Sequence, residues 1–110
     1  MNVYDTANRL AYEIREAQEY KIYKKLKDSI MSNTEKKGKV EKFEKDRYEI
    51  QLLAMQGKEQ NVERTKELEK EYVELVSDKE IKEYFEAEIK FNVMIADVNK
   101  IIAESVKDVL

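Results

Sequence analysis

The chain has 110 residues, the length of one domain, and a formal net charge of −3. It contains no Pro, His, Cys or Trp and two Gly. Without His or Cys it lacks the usual general bases, thiolate nucleophiles and transition-metal ligands, and without Pro little interrupts a helix. The composition therefore predicts a single-domain, all-α, non-enzymatic protein that carries no cofactor.

The N-terminal segment and the apolar pattern predict a cytoplasmic protein that does not enter a membrane. The chain opens directly into an amphipathic pattern, with neither the basic nor the apolar stretch of a signal peptide. No apolar run approaches the roughly 18 residues that a membrane span needs. The absence of Cys fits a reducing compartment.

The spacing of apolar residues predicts five helices. They cover about 3–18, 19–31, 34–56, 61–76 and 78–107. In the first helix, Val3, Ala7, Leu10 and Ile14 step by four and three residues, which places them on one face. No Gly or Pro separates the first helix from the second, so one kinked helix and two separate helices are both open interpretations.

Three short segments predict helix ends. Ser32-Asn33-Thr34-Glu35 has N-capping side chains followed by an acidic residue, which suits the positive end of a helix dipole. Gly57 is suited to the position after a helix, because Gly enters the left-handed region freely. Ser77-Asp78-Lys79-Glu80 has the pattern of a capping box that opens the final helix.

The final predicted helix is about 30 residues and about 45 Å long, whereas a domain of this size has a radius of gyration of about 13 Å. We therefore expect a five-helix bundle with a long, protruding C-terminal helix. Its second half is apolar over more than one face, because Ile89, Val93, Met94 and Ile101 lie off the main stripe. The sequence predicts a homodimer, or a higher oligomer, in which a second chain covers this helix. The predicted interface is Phe91, Asn92, Ile95, Val98, Asn99, Ile102 and Val106.

Three polar residues lie on or beside this stripe. Asn92 and Asn99 are seven residues apart, and buried Asn at such positions can fix the register of a helical interface. The alternative is that both are solvated. Glu88 interrupts the apolar stripe, and pairing with a Lys and exposure to water are both open interpretations.

Basic residues are concentrated in one segment: Lys21 to Arg47 contains ten basic and five acidic residues. With Tyr20 and Tyr23 interleaved, this segment suggests an alternative function, direct binding of RNA or another anion. The plainer interpretation is a solvated face, because Arg, the better reader of phosphate, is nearly absent there. The candidate patch is Lys21, Lys24, Lys25, Lys36, Lys37, Lys39 and Lys42, with Lys27 and Lys45 nearby.

Acidic residues predominate later in the chain, but they do not form a known metal motif. Ferritin-like di-iron bundles need Glu-x-x-His on two helices, and this chain has no His. A Mg²⁺ or Ca²⁺ site is the alternative to a solvated acidic face. We expect no metal site among Glu67, Glu71, Glu74, Glu80, Glu83 and Glu88.

Several short segments together resemble the bacterial YlbF/YheA-like family, with the YheA branch nearest. The resemblance covers essentially the whole chain. Its motifs are Val3-Tyr4-Asp5-Thr6-Ala7-Asn8-Arg9-Leu10, Glu19-Tyr20-Lys21, Ser32-Asn33-Thr34-Glu35, Phe43, Met55-Gln56-Gly57 and Asp97-Val98-Asn99-Lys100-Ile101-Ile102. The family turn has Asp-Pro where this chain has Asn33-Thr34, a change that leaves the capping function intact.

The resemblance implies an all-α fold with a long final helix and helix-mediated dimers. Some family members act in a complex with ribonuclease Y and influence RNA processing. The resemblance thus suggests a regulatory protein-interaction module whose partners are itself, other family members or a ribonuclease complex. A purely structural homo-oligomer is a further alternative. Iron–sulfur clusters reported for relatives depend on Cys, which this chain lacks. The resemblance assigns no catalytic residue.

Overall fold

The computed structural model describes residues 2–57 and 62–110. Within these ranges the chain forms five helices and no strand. The helices are α1 (Val3–Glu16), α2 (Gln18–Met31), α3 (Thr34–Met55), α4 (Val62–Leu75) and α5 (Lys79–Ser105). The predicted all-α fold with a long final helix is confirmed. The predicted start of the fourth helix, Asn61, lies outside the described residues.

α1 and α2 are separate helices, which answers the question that the sequence left open. Ala17, between them, has φ −70° and ψ 145°, an extended conformation. Its N–H donates to the carbonyl oxygen of Ile14, and its own carbonyl accepts from the N–H of Lys21, both at 3.1 Å. One residue therefore ends the first helix and begins the second without Gly or Pro.

The helices belong to two compact units. The first unit contains Met1–Lys27 and Tyr84–Leu110, and the second contains Asp28–Glu83. α2 and α5 therefore each contribute residues to both units.

The second unit has a core to which four helices contribute. Ile30 of α2, Val40 and Phe43 of α3, Leu75 of α4 and Ile81 of α5 are all buried. These residues lie on the faces that the apolar spacing predicts to be internal. Burying aliphatic and aromatic side chains of this size contributes about 1.5–3 kcal/mol each.

The outer part of α4 differs from the sequence expectation. The apolar spacing of this helix predicts that Val62 and Tyr72 face inward, but their exposed fractions are 63% and 41%. Val62 is the first residue of its helix, where few neighbours surround it. Tyr72 packs against Phe43, with ring centroids 5.8 Å apart, and remains partly exposed.

Two of the three predicted helix ends have the expected geometry, and the third is displaced by one residue. The side chain of Asn33 accepts from the N–H of Lys36 at 3.1 Å, and Gly57 has φ 72°. At α5 the capping residue is Asp78, whose Oδ1 accepts from the N–H groups of Glu80 and Ile81 at 2.9 and 3.2 Å. The Ser77 hydroxyl instead donates to the carbonyl of Glu74 at 2.6 Å and so completes the end of α4.

The first unit is less well buried. α1 contains no buried residue, and Val3 and Tyr12 on it have exposed fractions of 81% and 65%. Leu10 and Ile14, the centre of the predicted stripe of α1, are half-buried. The apolar face that the sequence predicts is present on this helix, but the chain itself covers only part of it.

Candidate interaction surface

Helix α2 packs against α5 in the first unit through aromatic rings. The ring of Tyr20 lies 6.1 Å from that of Phe91, and the ring of Tyr23 lies 5.4 Å from Phe91 and 5.6 Å from Tyr84. Since the later residue of α2 reaches the earlier residue of α5, the two helices are antiparallel here. Tilted pairs of this kind contribute about 0.5–1.5 kcal/mol each beyond their buried area. One side of α5 is therefore occupied by its own chain.

The polar residues on and beside the α5 stripe have different environments. Glu88 is half-buried, and its Oε2 accepts from the hydroxyl of Tyr23 at 3.5 Å. The carboxylate thus contacts a ring that belongs to the α2–α5 packing. Asn92 and Asn99 are both exposed on this chain.

An apolar groove of about 480 Å³ runs along another side of α5 in the first unit. Ile89, Val93 and Ile101 in its wall have exposed fractions of 59%, 53% and 71%. An exposed aliphatic side chain is common by itself, but a contiguous row of them marks an interaction surface. The residues that line the groove are Glu19, Ile89, Lys90, Val93, Met94, Asp97, Val98 and Ile101.

The predicted interface residues fall into two groups. Four of them are half-buried by their own chain: Phe91, Ile95, Val98 and Val106. Three are exposed: Asn92, Asn99 and Ile102. Of the seven, Val98 also lines the groove.

The groove therefore follows the apolar residues that lie off the main stripe. Successive helical residues are rotated by about 100°, so Val93 is about 160° from Phe91 around the helix. The sequence shows that α5 is apolar on more than one face. It does not show which face α2 covers, because that depends on tertiary packing.

The lysines of the candidate anion patch are divided between the two units. Lys21, Lys24 and Lys25 belong to the first unit, and Lys36, Lys37, Lys39 and Lys42 belong to the second. Lys21 pairs with Glu16 at 3.1 Å, and Lys39 pairs with Glu35 at 3.0 Å. Surface pairs of this kind contribute about 0–1 kcal/mol each, but they place a carboxylate beside the cation. A nucleic-acid phosphate would have to compete with that carboxylate.

Lys36 is the centre of a polar cluster in the second unit. Its ammonium lies 3.3 Å from both Asp78 Oδ2 and Glu80 Oε1, while the hydroxyl of Ser29 donates to Glu80 Oε2 at 3.1 Å. Desolvation lowers the pKa of Lys36, but hydrogen bonds and charge from Glu80 and Asp78 outweigh it and raise that pKa above 10.5. The cluster joins the end of α2 and the start of α3 to the first turn of α5.

Desolvation also acts on Asp78, where it raises the pKa. Hydrogen bonds from the backbone of Ile81, the ammonium of Lys36 and the backbone of Glu80 outweigh it, so the pKa of Asp78 lies below its ordinary value of 3.8. Both charged partners are therefore more strongly ionised near neutral pH than they would be alone.

Lys42 has a similar structural role between α3 and α4. It lies 3.1 Å from both Asp46 Oδ2 and Glu71 Oε1, and hydrogen bonds to those two carboxylates raise its pKa. Nearby, Arg64 pairs with Glu49 at 2.9 Å. A groove of about 320 Å³ lies beside these side chains, and both cationic and anionic residues line it. The pairs of Lys42 with Glu71 and of Arg64 with Glu49 link the two helices.

Metal-ligand clusters and membrane-spanning helices are both absent from the described residues. In residues 2–57 and 62–110, no three His, Cys, Asp or Glu side chains are grouped as metal ligands would be. None of the described helices combines the length and the apolar character of a membrane-spanning segment.

Comparison with known proteins places the chain in a family. A family model described as "Control of competence regulator ComK, YlbF/YmcA" matches residues 3–107. The chain belongs to this Com_YlbF family. A UPF0342 protein of Halothermothrix orenii is 40% identical over 104 residues, which cover 93% of this chain and 86% of the relative. A UPF0342 protein of Symbiobacterium thermophilum is 35% identical, with 94% and 93% covered.

A solved structure supports the fold of this Com_YlbF member. The structure described as yheA from Bacillus subtilis aligns over 100% of both chains with a TM-score of 0.67. Its sequence identity is 23%, so the likeness concerns the fold alone. The predicted membership of a YlbF/YheA-like family is thereby confirmed.

Proposed function

We propose that this protein is a non-catalytic, regulatory interaction module of a cytoplasmic bacterial complex, and that it self-associates through the second half of α5. The observation that supports this most directly is the row of exposed aliphatic side chains along the groove of α5. The family description, which concerns competence control, fits a regulatory protein. The family resemblance suggests that the complex acts in RNA processing.

The energetics of the groove favour a protein partner. Ile89, Val93 and Ile101, which line the groove, each expose more than half of their surface. Covering the exposed part of each would contribute roughly 1 kcal/mol or more. Several such contributions are needed, since association costs at least about 4 kcal/mol in lost translational and rotational freedom. A helix surface that supplies them on both partners reaches that threshold.

Direct RNA binding receives less support from the same structure. Lys36 and Lys42, two residues of the candidate patch, each lie within 3.3 Å of two carboxylates in the second unit. Nucleic-acid binding draws its affinity from lysines and arginines that neutralise phosphates, and these lysines already neutralise carboxylates.

The self-association is tested by comparing two valine variants. Val93→Asp places a charge in the groove, while Val73→Asp is a matched control on α4, where the exposed fraction is 65%. We expect wild type and Val73→Asp to sediment as a dimer or larger species and Val93→Asp as a folded monomer. Circular dichroism reports whether each variant remains helical. A wild-type protein that sediments as a monomer at about 100 µM would exclude the proposal.

The regulatory part is tested by pull-down from the native cells with and without nuclease. Recovery of a ribonuclease or other family members in both arms is the expected result, because the contact is between proteins. Recovery that depends on intact RNA would instead favour the RNA-binding alternative. Recovery of the protein alone would leave a purely structural homo-oligomer.

A further inference from the structure

The junction between α1 and α2 lacks the residues that usually stop a helix. The chain bends at Ala17, whose carbonyl accepts the first hydrogen bond of α2, so Ala17 occupies the capping position of that helix. Alanine is among the poorest N-caps, because its side chain offers no acceptor to the first N–H groups, and it is the strongest former of helix interiors. The local sequence therefore favours one continuous helix across the junction.

Two side-chain contacts cross the bend, and both depend on it. Glu16 Oε2 lies 3.1 Å from the ammonium of Lys21. The guanidinium of Arg15 lies 5.8 Å from the centre of the Tyr20 ring. The partners in each contact are five residues apart, and on a continuous helix such residues are rotated by about 140° from one another. Straightening the junction would therefore break both contacts.

The apolar faces of the two helices show what the bend achieves. Ile14 of α1 and Tyr23 of α2 are nine residues apart, so a continuous helix would place them about 180° apart around its axis. Tyr23 packs against Phe91 and Tyr84 of α5, while Ile14 is half-buried. The bend lets Ile14 be partly covered while Tyr23 keeps its contacts with α5. In a straight helix, the apolar stripe of α1 would face away from α5.

We propose that this junction is a conformational switch, in which α1 is a hinged arm that converts between the bent form and a straight helix continuous with α2. The bent form has the two crossing contacts and the partial burial of Leu10 and Ile14. The straight form supplies intrahelical acceptors for the first N–H groups of α2. Because α1 contains no buried residue, little burial opposes its release. The switch controls how much of the α1 stripe is presented at the surface, and it is independent of self-association through α5.

Spin-label distances within one chain measure the two forms directly. The chain has no Cys, so Asn8→Cys with Lys25→Cys introduces the only two thiols, both at exposed positions. In a continuous helix the two Cα atoms are about 26 Å apart, and a bend at Ala17 shortens that separation. Labelled chain is diluted with unlabelled chain, so that distances between copies do not contribute. We expect a main short distance and a minor component at the straight-helix distance.

Gln18→Pro should lock the bent form. Gln18 is the first residue of α2, where Pro is well tolerated because that N–H has no intrahelical partner. Ala17 already has the extended conformation, φ −70° and ψ 145°, that a residue before Pro prefers. In a straight helix the same Pro would lose the hydrogen bond to the carbonyl of Ile14 and clash with it. We expect the straight component to disappear while circular dichroism shows unchanged helix content. Its persistence in this variant would overturn the proposal.

Lys21→Glu should shift the switch in the other direction. The substitution replaces attraction across the bend with repulsion from Glu16, so the straight component should increase about three- to tenfold at ~50 mM salt. Arg9→Glu is the matched control, because it makes the same charge change at an exposed position of α1 and should leave the distances unchanged. Glu16→Lys combined with Lys21→Glu restores the pair and should restore the wild-type distribution.

Two further results would contradict the switch. A single short distance in both wild type and Lys21→Glu would show that the junction has one conformation. A broad distribution with reduced helix content in Lys21→Glu would show that α1 unfolds instead of joining α2. Neither result bears on self-association, which the sedimentation of Val93→Asp measures separately.

Discussion

The second unit takes its buried side chains from four helices, whereas the described part of the first unit buries only side chains of α5: Tyr84, Phe85 and Ala87. The second unit also has ion pairs that link different helices, at Lys36 and at Lys42. The first unit instead has a solvent-exposed apolar groove on α5, and α1 has no buried residue. The difference shows that the second unit buries more of its own apolar side chains, and the exposed groove of the first unit fits the proposal that another chain covers it.

The largest expected effect is the loss of a core aromatic side chain from the second unit. Phe43 is 4% exposed, so Phe43→Ala should lower the free energy of unfolding by about 3–4 kcal/mol through lost burial and a residual cavity. Tyr48→Ala on the same helix is the control, because Tyr48 is 64% exposed and should cost less than about 1 kcal/mol. Urea denaturation measures both. Equal losses would mean that α3 has no distinct inner face.

A smaller effect is expected at the cap of α5. Asp78→Ala removes two hydrogen bonds to the backbone of α5 and the contact with Lys36, and should cost about 1–2 kcal/mol. Asp108→Ala, an exposed acidic residue outside any helix, is the control and should be nearly neutral.

The same residue gives a pH dependence with a defined sign. The folded-state pKa of Asp78 lies below 3.8, so its stabilising contribution is present above that pH and is lost as pH falls through the folded-state value. The difference in free energy of unfolding between wild type and Asp78→Ala should therefore shrink as the pH falls into the acid range. A constant difference between the two proteins from pH 7 to pH 2 would contradict this account.

The smallest effects are expected where an Asn N-cap is removed, and the two units can be compared because each has such a cap. Asn33 caps α3 and Asn2 caps α1, through side-chain contacts of 3.1 and 2.8 Å. Asn33→Ala should cost about 1 kcal/mol, because α3 supplies core residues. Asn2→Ala should cost a few tenths of a kcal/mol in thermal unfolding, since α1 can fray without opening a core. A larger loss for Asn2→Ala would show that α1 is integral to the folded core.

Much of the fold could be predicted from periodicity and capping chemistry. The apolar spacing locates all five helices, and Asn33 and Gly57 are recognisable because few residue types satisfy those positions. Ala17 has no such signature, since its extended conformation comes from its surroundings and not from its own side chain. The choice of Asp78 over Ser77 as the cap of α5 likewise depends on where α4 ends.

The site was harder to predict, because it depends on residues far apart in the chain. Lys36 meets Glu80 across 44 positions and Lys42 meets Glu71 across 29, so a lysine-rich segment gives no sign that its charges are already paired. On α5 the sequence indicates more apolar surface than is expected of a helix that has one face in solvent. Only the packing of Tyr20 and Tyr23 shows which of its faces is already covered.

The discontinuity of the first unit has a consequence for synthesis on the ribosome. Its two segments, Met1–Lys27 and Tyr84–Leu110, flank the whole of the second unit in the chain. Translation at about 5–20 residues per second delivers the N-terminal part first, and domains form as their sequence emerges. The second unit can therefore assemble before the part of α5 that belongs to the first unit, from Tyr84 onward, has been synthesised. Most of the groove lies on residues that follow the second unit in the chain, so the proposed recognition of another chain there would come after formation of the core.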